Sequence, residues 1–289
     1  MADSSAQADI RGIDIQKLVT GFSEEEFTFK KLCTVTPTSA REIRWYQKTS
    51  GILATTLPTT LSNVAELAQP FVLEQSWTRN TSYVRKYFVE SPMLSDEDIK
   101  DSDIDILATN INDLTRAVAA KVDARIYDII TESQTPVNIN SVTSSGAWST
   151  PNFAIAIDPI RDLLSAKQKI REASYNPEGA RLLLTPAAHT NLINWLISIK
   201  GSSIPAFSSQ KIESGVVMEI LGLQVSVSTN VVASGACVVV PQRAVTWKSF
   251  VPITARTVDE VGIGTKIRVW EEGEGLLTDP KAVSFIFPV

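Results

Sequence analysis

Apolar residues recur at helical spacing through residues 102–131, and this stripe is the strongest pattern in the chain. Steps of three and four residues keep such side chains on one face of a helix. At 1.5 Å per residue the predicted helix is roughly 40 Å long, and Ser102 with Asp105 fits an amino-terminal cap. The apolar positions are Ile104, Leu107, Ile111, Leu114, Val118, Val122, Ile126 and Ile129.

Two segments before this helix alternate between polar residues and apolar or aromatic ones, which is typical of strands. They are residues 41–48 (REIRWYQK) and residues 80–90 (NTSYVRKYFVE), the latter with Tyr83, Arg85, Tyr87 and Val89 on one face. The long stretch between them is polar and lacks periodicity, so we predict a projecting hairpin. Because an isolated hairpin is marginally stable in water, we expect this one to lie on a neighbouring molecule.

The chain after the long helix is predicted to form an α/β segment and then a strand-rich tail. Helices are predicted over residues 158–173, with Asp158 as cap and Pro159 at the first position, and over 186–199. Residues 1–35 are interpreted as an arm and 134–150 as a loop or loose hairpin. Strands are predicted at 180–184, 216–220, 223–228, 236–240, 244–251, 264–270 and 282–287, the last two around a glycine-rich turn, EEGEGLL.

The composition is that of an ordinary globular protein, with 44% hydrophobic and 20% charged residues among 289. The net charge of −5 argues against a dedicated nucleic-acid-binding protein, which would show a basic stripe. Cys33 and Cys237 form no CxxC pair, so neither a zinc ribbon nor a redox motif is indicated. The polar amino terminus does not resemble a secretory signal, and no apolar run approaches a membrane span in length.

The single histidine lacks the neighbours that catalysis needs. His189 lies on a predicted helix, and the sequence contains no GxSxG nucleophile motif. A catalytic histidine requires a positioned nucleophile and an orienting acid. We therefore interpret His189 as an ordinary helix residue.

Two acidic clusters resemble metal sites, and for both a plainer interpretation is favoured. Asp101, Asp103 and Asp105 begin like a calcium loop, but that loop's essential glycine and glutamate are replaced by Ile106 and Asn112. Acidic residues at a helix amino terminus explain this cluster. The second cluster is interpreted as a solvated charged turn, in preference to a divalent-ion site at a symmetry axis; its members are Glu271, Glu272, Glu274 and Asp279.

The motif Gly262-x-Gly264 precedes a predicted strand instead of a helix, so it does not fit a phosphate-binding loop. The sequence therefore predicts no catalytic, cofactor-binding or metal-ligating residue.

Aromatic residues gather in the predicted hairpin arm, and two interpretations of them stay open. They form a small satellite core, or they anchor the arm to a neighbouring subunit, because Tyr and Trp are enriched in interface cores. The candidate intersubunit contacts are Trp45, Tyr46, Trp77, Tyr83 and Tyr87.

The order of these segments resembles the major capsid protein of tailed double-stranded DNA viruses, which has the α+β Hong Kong 97-like fold. RWYQKTSG and NTSYVRKYFVESPMLSDED resemble its extended loop running into the spine helix. GARLLLTPAAHTNLINWL resembles the strand and helix of its axial domain, and EILGLQVSVSTNV its glycine-containing strand pair. GTKIRVWEEGEGLLTDPKAVSFIF resembles its closing peripheral strands. The resemblance covers nearly the whole chain and rests on layout.

The resemblance implies a division of the chain into four parts. These are an amino-terminal arm (1–35), an extended loop (36–95), a peripheral domain with the spine helix (96–150 and 247–289) and an α/β axial domain (151–246). It also implies hexamers and pentamers that close into an icosahedral shell around double-stranded DNA, bound without sequence specificity. Scaffold, portal and decoration proteins would be the partners, with no membrane, no cofactor and no enzymatic activity. The expected location is the virion, after synthesis in the host cytoplasm.

Some members of this family crosslink a loop lysine to an asparagine of a neighbour. Lys48 and Lys86 could supply the lysine, but no asparagine follows Asn230, so we do not expect this chemistry. An encapsulin, which is a cellular nanocompartment with the same fold, is the alternative, and a cytosolic α/β hydrolase is a remote one. Packaged DNA favours the virus, co-purifying cargo enzymes favour the encapsulin, and turnover by a soluble monomer favours the hydrolase.

Overall fold

The computed structural model describes Gln16, Val19, Glu97 and residues 27–49, 65–69, 77–95, 106–148, 157–196, 219–231, 235–260 and 262–288. Its main helices are α1 (Ile106–Ile130), α2 (Pro159–Glu172) and α3 (Pro186–Trp195). Short 3-10 helices cover Lys30–Leu32, Glu132–Gln134 and Pro280–Ala282. The strands are β1 (Thr34–Pro37), β2 (Glu42–Lys48), β3 (Trp77–Tyr83), β4 (Arg85–Glu90), β5 (Leu94–Ser95), β6 (Asn140–Thr143), β7 (Arg181–Leu184), β8 (Glu219–Ile220), β9 (Leu223–Val227), β10 (Ala236–Val239), β11 (Val245–Glu260), β12 (Gly264–Leu277) and β13 (Val283–Phe287).

Helix α1 is the predicted long helix, and it packs against β12 and β4. Of the six stripe positions whose side chains the structure describes, four are buried, while Leu114 and Ile129 are half-buried. The same face also holds the buried polar residues Thr115 and Asp123. The buried face therefore includes polar side chains, which carry hydrogen bonds there. The buried stripe positions are Ile111, Val118, Val122 and Ile126, while Ser102, Ile104 and the side chain of Leu107 lie outside the described residues.

Helix α1 lies on a five-stranded sheet in which β1, β11, β12 and β4 are neighbours in that order and β5 also pairs with β12. The long hairpin of β11 and β12 forms its centre, and β1 joins β11 in parallel. The end of the predicted arm is therefore part of the folded core. Phe29, Leu32 and Cys33 just before β1 are buried.

The second sheet has six strands in the order β6, β13, β10, β7, β9, β8. Helix α2 packs on β13 and β6, and α3 packs on β7. The predicted cap of α2 is confirmed, because the Asp158 carboxylate accepts hydrogen bonds from the backbone N–H groups of Ile160 and Arg161. The predicted strands around Gly222 pair as β8 and β9, and residues 134–150, predicted as a loop or loose hairpin, contain β6, which lies parallel to β13.

The predicted strand over residues 80–90 is two strands that belong to different sheets. Strand β3 pairs antiparallel with β2 over seven residues and forms a separate two-stranded ribbon. The strand is interrupted at Val84, and β4 then pairs with β12 in the five-stranded sheet. The hairpin is thus continuous with the central sheet through its second strand.

The turn predicted within EEGEGLL is wrong, because these residues continue strand β12 to Leu277. The glycines serve packing and not a reversal of the chain. A Cβ atom on Gly273 would lie 2.5 Å from Cζ2 of Trp247, and one on Gly275 would lie 2.8 Å from Cδ1 of Ile129. At Gly273 the indole ring and the carbonyl oxygen of Lys248, 2.9 Å from the same Cβ position, leave no room for a side chain. At Gly275 the close atom is the end of the Ile129 side chain, which can shift.

Three consecutive non-glycine residues with left-handed backbone conformation follow shortly after the end of helix α1. Glu132, Ser133 and Gln134 have φ angles of 48°, 55° and 67°. The Glu132 carboxylate accepts hydrogen bonds from the backbone N–H groups of Val137, at 2.6 Å, and Asn138, at 2.8 Å. These charge-assisted bonds hold a turn whose backbone is intrinsically unfavourable.

Replacing the exposed residue Gln134 with glycine is expected to stabilise the protein by about 0.5–1 kcal/mol. A left-handed conformation costs a residue with a Cβ about 1–2 kcal/mol, which exceeds the extra chain entropy that glycine loses on folding. Urea unfolding of the full chain measures the change. Gln134→Ala retains the Cβ and should show no gain, and an equal gain in both variants would contradict the argument from backbone conformation.

Candidate functional site

The ribbon of β2 and β3 has two chemically different faces. Residues directly opposite one another share a face, and the pairs Lys48–Trp77, Tyr46–Arg79 and Glu42–Tyr83 lie on one side. We call this the outward face; its members are Glu42, Arg44, Tyr46, Lys48, Trp77, Arg79, Thr81 and Tyr83. All of them except Lys48 are exposed.

Three large aromatic side chains on the outward face are open to solvent. Tyr46 is 58% exposed, Trp77 is 54% exposed and Tyr83 is 66% exposed. Lys48 Nζ lies 5.8 Å from the ring centre of Trp77, within the range of a cation–π contact. Aromatic residues and arginine are enriched in protein interfaces, and this face carries both, with Arg44 and Arg79 beside the three aromatic side chains.

The opposite face of the ribbon lies over the body of the same subunit. Ile43 and Gln47 are buried there, and Trp45 Nε1 donates a hydrogen bond of 2.9 Å to Ser82 Oγ. Between this face, the end of α1 and strand β12 lies a cavity of about 320 Å³ whose lining includes Trp45 and Arg125. The inward face of the ribbon therefore packs on its own subunit but leaves this cavity unfilled.

The five predicted intersubunit residues thus divide into two groups. Tyr46, Trp77 and Tyr83 lie on the outward face, whereas Trp45 and Tyr87 pack, half-buried, against the core of their own subunit. The ring of Tyr87 lies 6.4 Å from that of Trp247, and burial raises the pKa of its hydroxyl. The satellite-core interpretation therefore fits Trp45 and Tyr87, and the contact with a neighbour stays a prediction.

Strand β12 carries three buried carboxylates where the sequence suggested a solvated turn, so that interpretation is wrong. Glu271 is 0% exposed, Glu272 is 7% exposed and Glu274 is 2% exposed. Asp279, the fourth residue of the predicted cluster, pairs separately with Arg243 at 2.9 Å. Buried carboxylates are strongly unfavourable unless cations or hydrogen-bond donors compensate them, so the partners of these side chains matter.

Glu274 and Glu272 are compensated by cations from other parts of the chain. Arg125 of α1 donates to Glu274 Oε1 through Nη2 at 2.6 Å and Nε at 3.0 Å, and Arg85 Nε lies 3.1 Å from Oε2. Lys86, directly opposite Glu272 in the ladder, lies 3.6 Å from it, and Arg41 approaches to 3.8 Å. These pairs link the base of the ribbon to the sheet and to α1.

Glu271 and Asp123 hold the segment before β1. Lys30 Nζ forms an ion pair with Glu271, while the Asp123 carboxylate accepts from the backbone N–H groups of Thr28 at 2.7 Å and of Phe29 and Lys30 at 3.1 Å. Burial raises the pKa of both carboxyl groups. The ammonium of Lys30 opposes that rise at both, and at Asp123 the three backbone N–H groups that donate to it do so as well. We call this arrangement the Asp123 clasp.

The remaining candidates lie in separate elements of the described structure. His189 lies half-buried on α3, as predicted for an ordinary helix residue. Cys33 and Cys237 are buried free thiols, and burial raises the pKa of Cys33 to about 12. In the described part of the chain, no three His, Cys, Asp or Glu side chains are arranged to hold a metal ion. The predicted acidic cluster at 101–105 lies outside it.

The sequence matches the family model of phage capsid proteins over residues 93–284, which is 192 of the 289 residues. The chain belongs to the phage capsid protein family. It is therefore a structural protein, the major capsid protein. It forms part of a multimeric shell and is located in the virion. No sequence among curated proteins matches it.

Solved structures share the fold of this capsid protein at low sequence identity. The capsid of the cyanophage P-SCSP1u has a TM-score of 0.67 at 12% identity, covering 91% of this chain and 88% of its own. Mycobacterium phage Che8 has a TM-score of 0.64 at 16% identity, with 90% of each chain covered. A virus-like particle from Pyrococcus furiosus has a TM-score of 0.62 at 10% identity, covering 95% and 98%. The predicted Hong Kong 97-like fold is confirmed.

The family match does not favour the encapsulin or the hydrolase alternative for this capsid protein. In the described residues, no helix has the length and apolarity needed to cross a membrane. The residues that sequence reasoning missed are Asp123, Lys30 and Arg125. The one sequence signal for Asp123 was a carboxylate placed next to Val122 of the apolar stripe, where an unpartnered charge would be costly.

Proposed function

We propose that the outward face of the ribbon is an intersubunit contact through which the capsid protein forms hexamers and pentamers that close into an icosahedral shell. In this proposal Tyr46, Trp77 and Tyr83 touch the neighbouring subunit. Trp45 and Tyr87 contribute to the contact from below, because they fix the position of the ribbon on its own subunit.

The observation that carries the proposal is the exposure of three large aromatic side chains on one face of a two-stranded ribbon. Two strands alone are marginally stable in water, and aromatic side chains dominate the energy of interfaces when they become buried. A neighbour that covers this face stabilises the ribbon and removes the aromatic surface from water. Closed symmetric assembly follows when every subunit uses the same contact.

We propose that the shell encloses viral double-stranded DNA as a passive container. A net charge of −5 favours weak, salt-sensitive contacts with DNA over a strong or sequence-specific one. A scaffold, a portal and decoration proteins are the further partners we propose, with assembly in the host cytoplasm. Packaged DNA in purified shells supports this function, whereas cargo enzymes in place of DNA would support the encapsulin alternative.

We also propose the four-part division of the chain, with one adjustment. The boundaries are 1–35, 36–95, 96–150 with 247–289, and 151–246. Strands β6 and β13 are hydrogen-bonded into the six-stranded sheet with β7 and β10, so we assign both strands to the axial domain.

Replacing Tyr46, Trp77 and Tyr83 together with serine is expected to reduce closed shells at least tenfold without unfolding the subunit. The substitutions remove the interface aromatic groups and leave the inward face of the ribbon intact. Negative-stain electron microscopy and sedimentation measure assembly, and circular dichroism measures folding. Val137→Ser, at a side chain that is 79% exposed, is the control. Normal shells from the triple variant would contradict the proposed contact.

A further inference from the structure

The outward face of the ribbon is basic as well as aromatic, although the whole chain is acidic. Arg44 and Arg79 are exposed on it, and Lys48 lies buried at its end. They stand against one carboxylate, Glu42, which pairs with Arg44 Nε at 3.2 Å. Within the described residues, Arg79 is exposed and has no ion-pair partner. Such a surface favours an acidic occupant.

The most acidic segment of this chain is residues 96–105, DEDIKDSDID. It has six acidic residues and one lysine among ten positions, and Glu97 within it is exposed. The run directly precedes helix α1.

The acidic groups of strand β12 are already compensated by neighbours. Glu271, Glu272 and Glu274 are buried with Lys30, Lys86 and Arg125 among their partners. The three glutamates at 24–26 form a shorter acidic run. Residues 96–105 carry six acidic residues against Lys100 alone, a larger excess of negative charge than that of residues 24–26. They are therefore the part of a second copy that best complements the charge of the ribbon.

We infer that the outward face of the ribbon docks onto the acidic run 96–105 of a neighbouring copy of the chain. The inference rests on the proposed function and names the partner of that same surface. The aromatic side chains provide the buried area of the contact, and the charges select the partner segment and its orientation. Because exposed charges are screened beyond about 8 Å at physiological ionic strength, assembly should weaken as salt increases.

The test uses two charge-reversed full-length chains. One chain carries Arg44→Glu and Arg79→Glu, which reverses the ribbon, and the other carries Asp98→Lys and Asp101→Lys, which reverses the run. Each chain alone is expected to assemble at least tenfold less than the original protein, because its surfaces repel their counterparts. Mixed in equal amounts, the two chains should recover oligomers, since the reversed ribbon of one matches the reversed run of the other. Mass photometry at low salt measures oligomers, and circular dichroism confirms that both chains fold.

Each outcome decides the inference. If each reversed chain assembles normally, or if the mixture recovers nothing although both chains fold, the acidic run is not the occupant. Recovery on mixing also excludes pairing of the ribbon with the run of its own chain, because mixing cannot repair an intramolecular contact.

Two further results separate this inference from the proposed function. If the aromatic triple variant fails to assemble while the reversed chains assemble normally, the ribbon is a contact but its partner lies elsewhere on the neighbour. If Arg44→Glu with Arg79→Glu abolishes binding of duplex DNA while oligomers persist, the face binds nucleic acid and the inference is overturned.

Discussion

Replacing Asp123 with alanine is expected to lower the free energy of unfolding by about 3–5 kcal/mol. The carboxylate accepts hydrogen bonds from three successive backbone N–H groups, those of Thr28, Phe29 and Lys30. A buried donor left without a partner costs about 1–3 kcal/mol. The hydrogen bond of Phe29 is buried, those of Thr28 and Lys30 are partly buried, and the side chain of Phe29 is completely buried. The loss should therefore be large and should release the segment before β1.

The measurement is urea unfolding of dissociated subunits together with hydrogen exchange at residues 28–30. Asp128→Ala is the matched control, because Asp128 is exposed on the same helix. The control should change stability by less than about 0.5 kcal/mol. Amides 28–30 should exchange much faster in Asp123→Ala than in the control. Unchanged protection of these amides would show that other contacts hold the segment and that the clasp is dispensable.

Helix α1 was predictable because its pattern is local. Apolar side chains at steps of three and four residues indicate a helix and its buried face regardless of what covers that face. The role of Asp123 was not predictable, since its three donors lie about 95 residues earlier in the chain. A carboxylate beside an apolar stripe indicates that a partner exists but does not identify it.

The misinterpretation of EEGEGLL has the same origin. Glutamate and glycine are both depleted in strands, so local propensity favours a turn. The strand forms because Lys30, Lys86 and Arg125 neutralise its carboxylates and because Trp247 packs over its glycines. Both causes are tertiary contacts, and tertiary contacts override propensity.

The candidate site was predictable in part. Alternation of polar and aromatic residues indicated the two strands of the ribbon, and Tyr46, Trp77 and Tyr83 do share one face. That Trp45 faces inward depends on which residues lie opposite each other in the ladder of β2 and β3. Tyr87 lies in another sheet because the strand is interrupted at Val84. Register between strands separated by about 30 residues is set by tertiary contacts, so it was beyond reach of the sequence.

Replacing Lys30 with methionine is expected to destabilise the protein by about 3–5 kcal/mol at pH 8. The substitution leaves Glu271, which is 0% exposed, without its ion-pair partner, and breaking a buried pair on one side has a cost of this size. The variant Lys30→Met with Glu271→Met should recover most of the loss, because apolar residues of similar volume often replace a buried pair without penalty. Lys31→Met, at the exposed neighbouring lysine, is the control.

The loss caused by Lys30→Met should also shrink as the pH falls. Burial raises the pKa of Glu271 above its usual value of 4.5, and Lys30 opposes that rise, so removing Lys30 raises the pKa of the folded state further. A carboxyl group with a raised folded-state pKa binds its proton more tightly when folded, and the variant therefore regains stability as the pH falls toward 4.5. Urea unfolding at pH 8, 7, 6 and 5 measures the difference from the original protein. A difference that is constant across these pH values, or that grows toward pH 5, would show that the cost comes from lost packing of the lysine and not from a buried carboxylate.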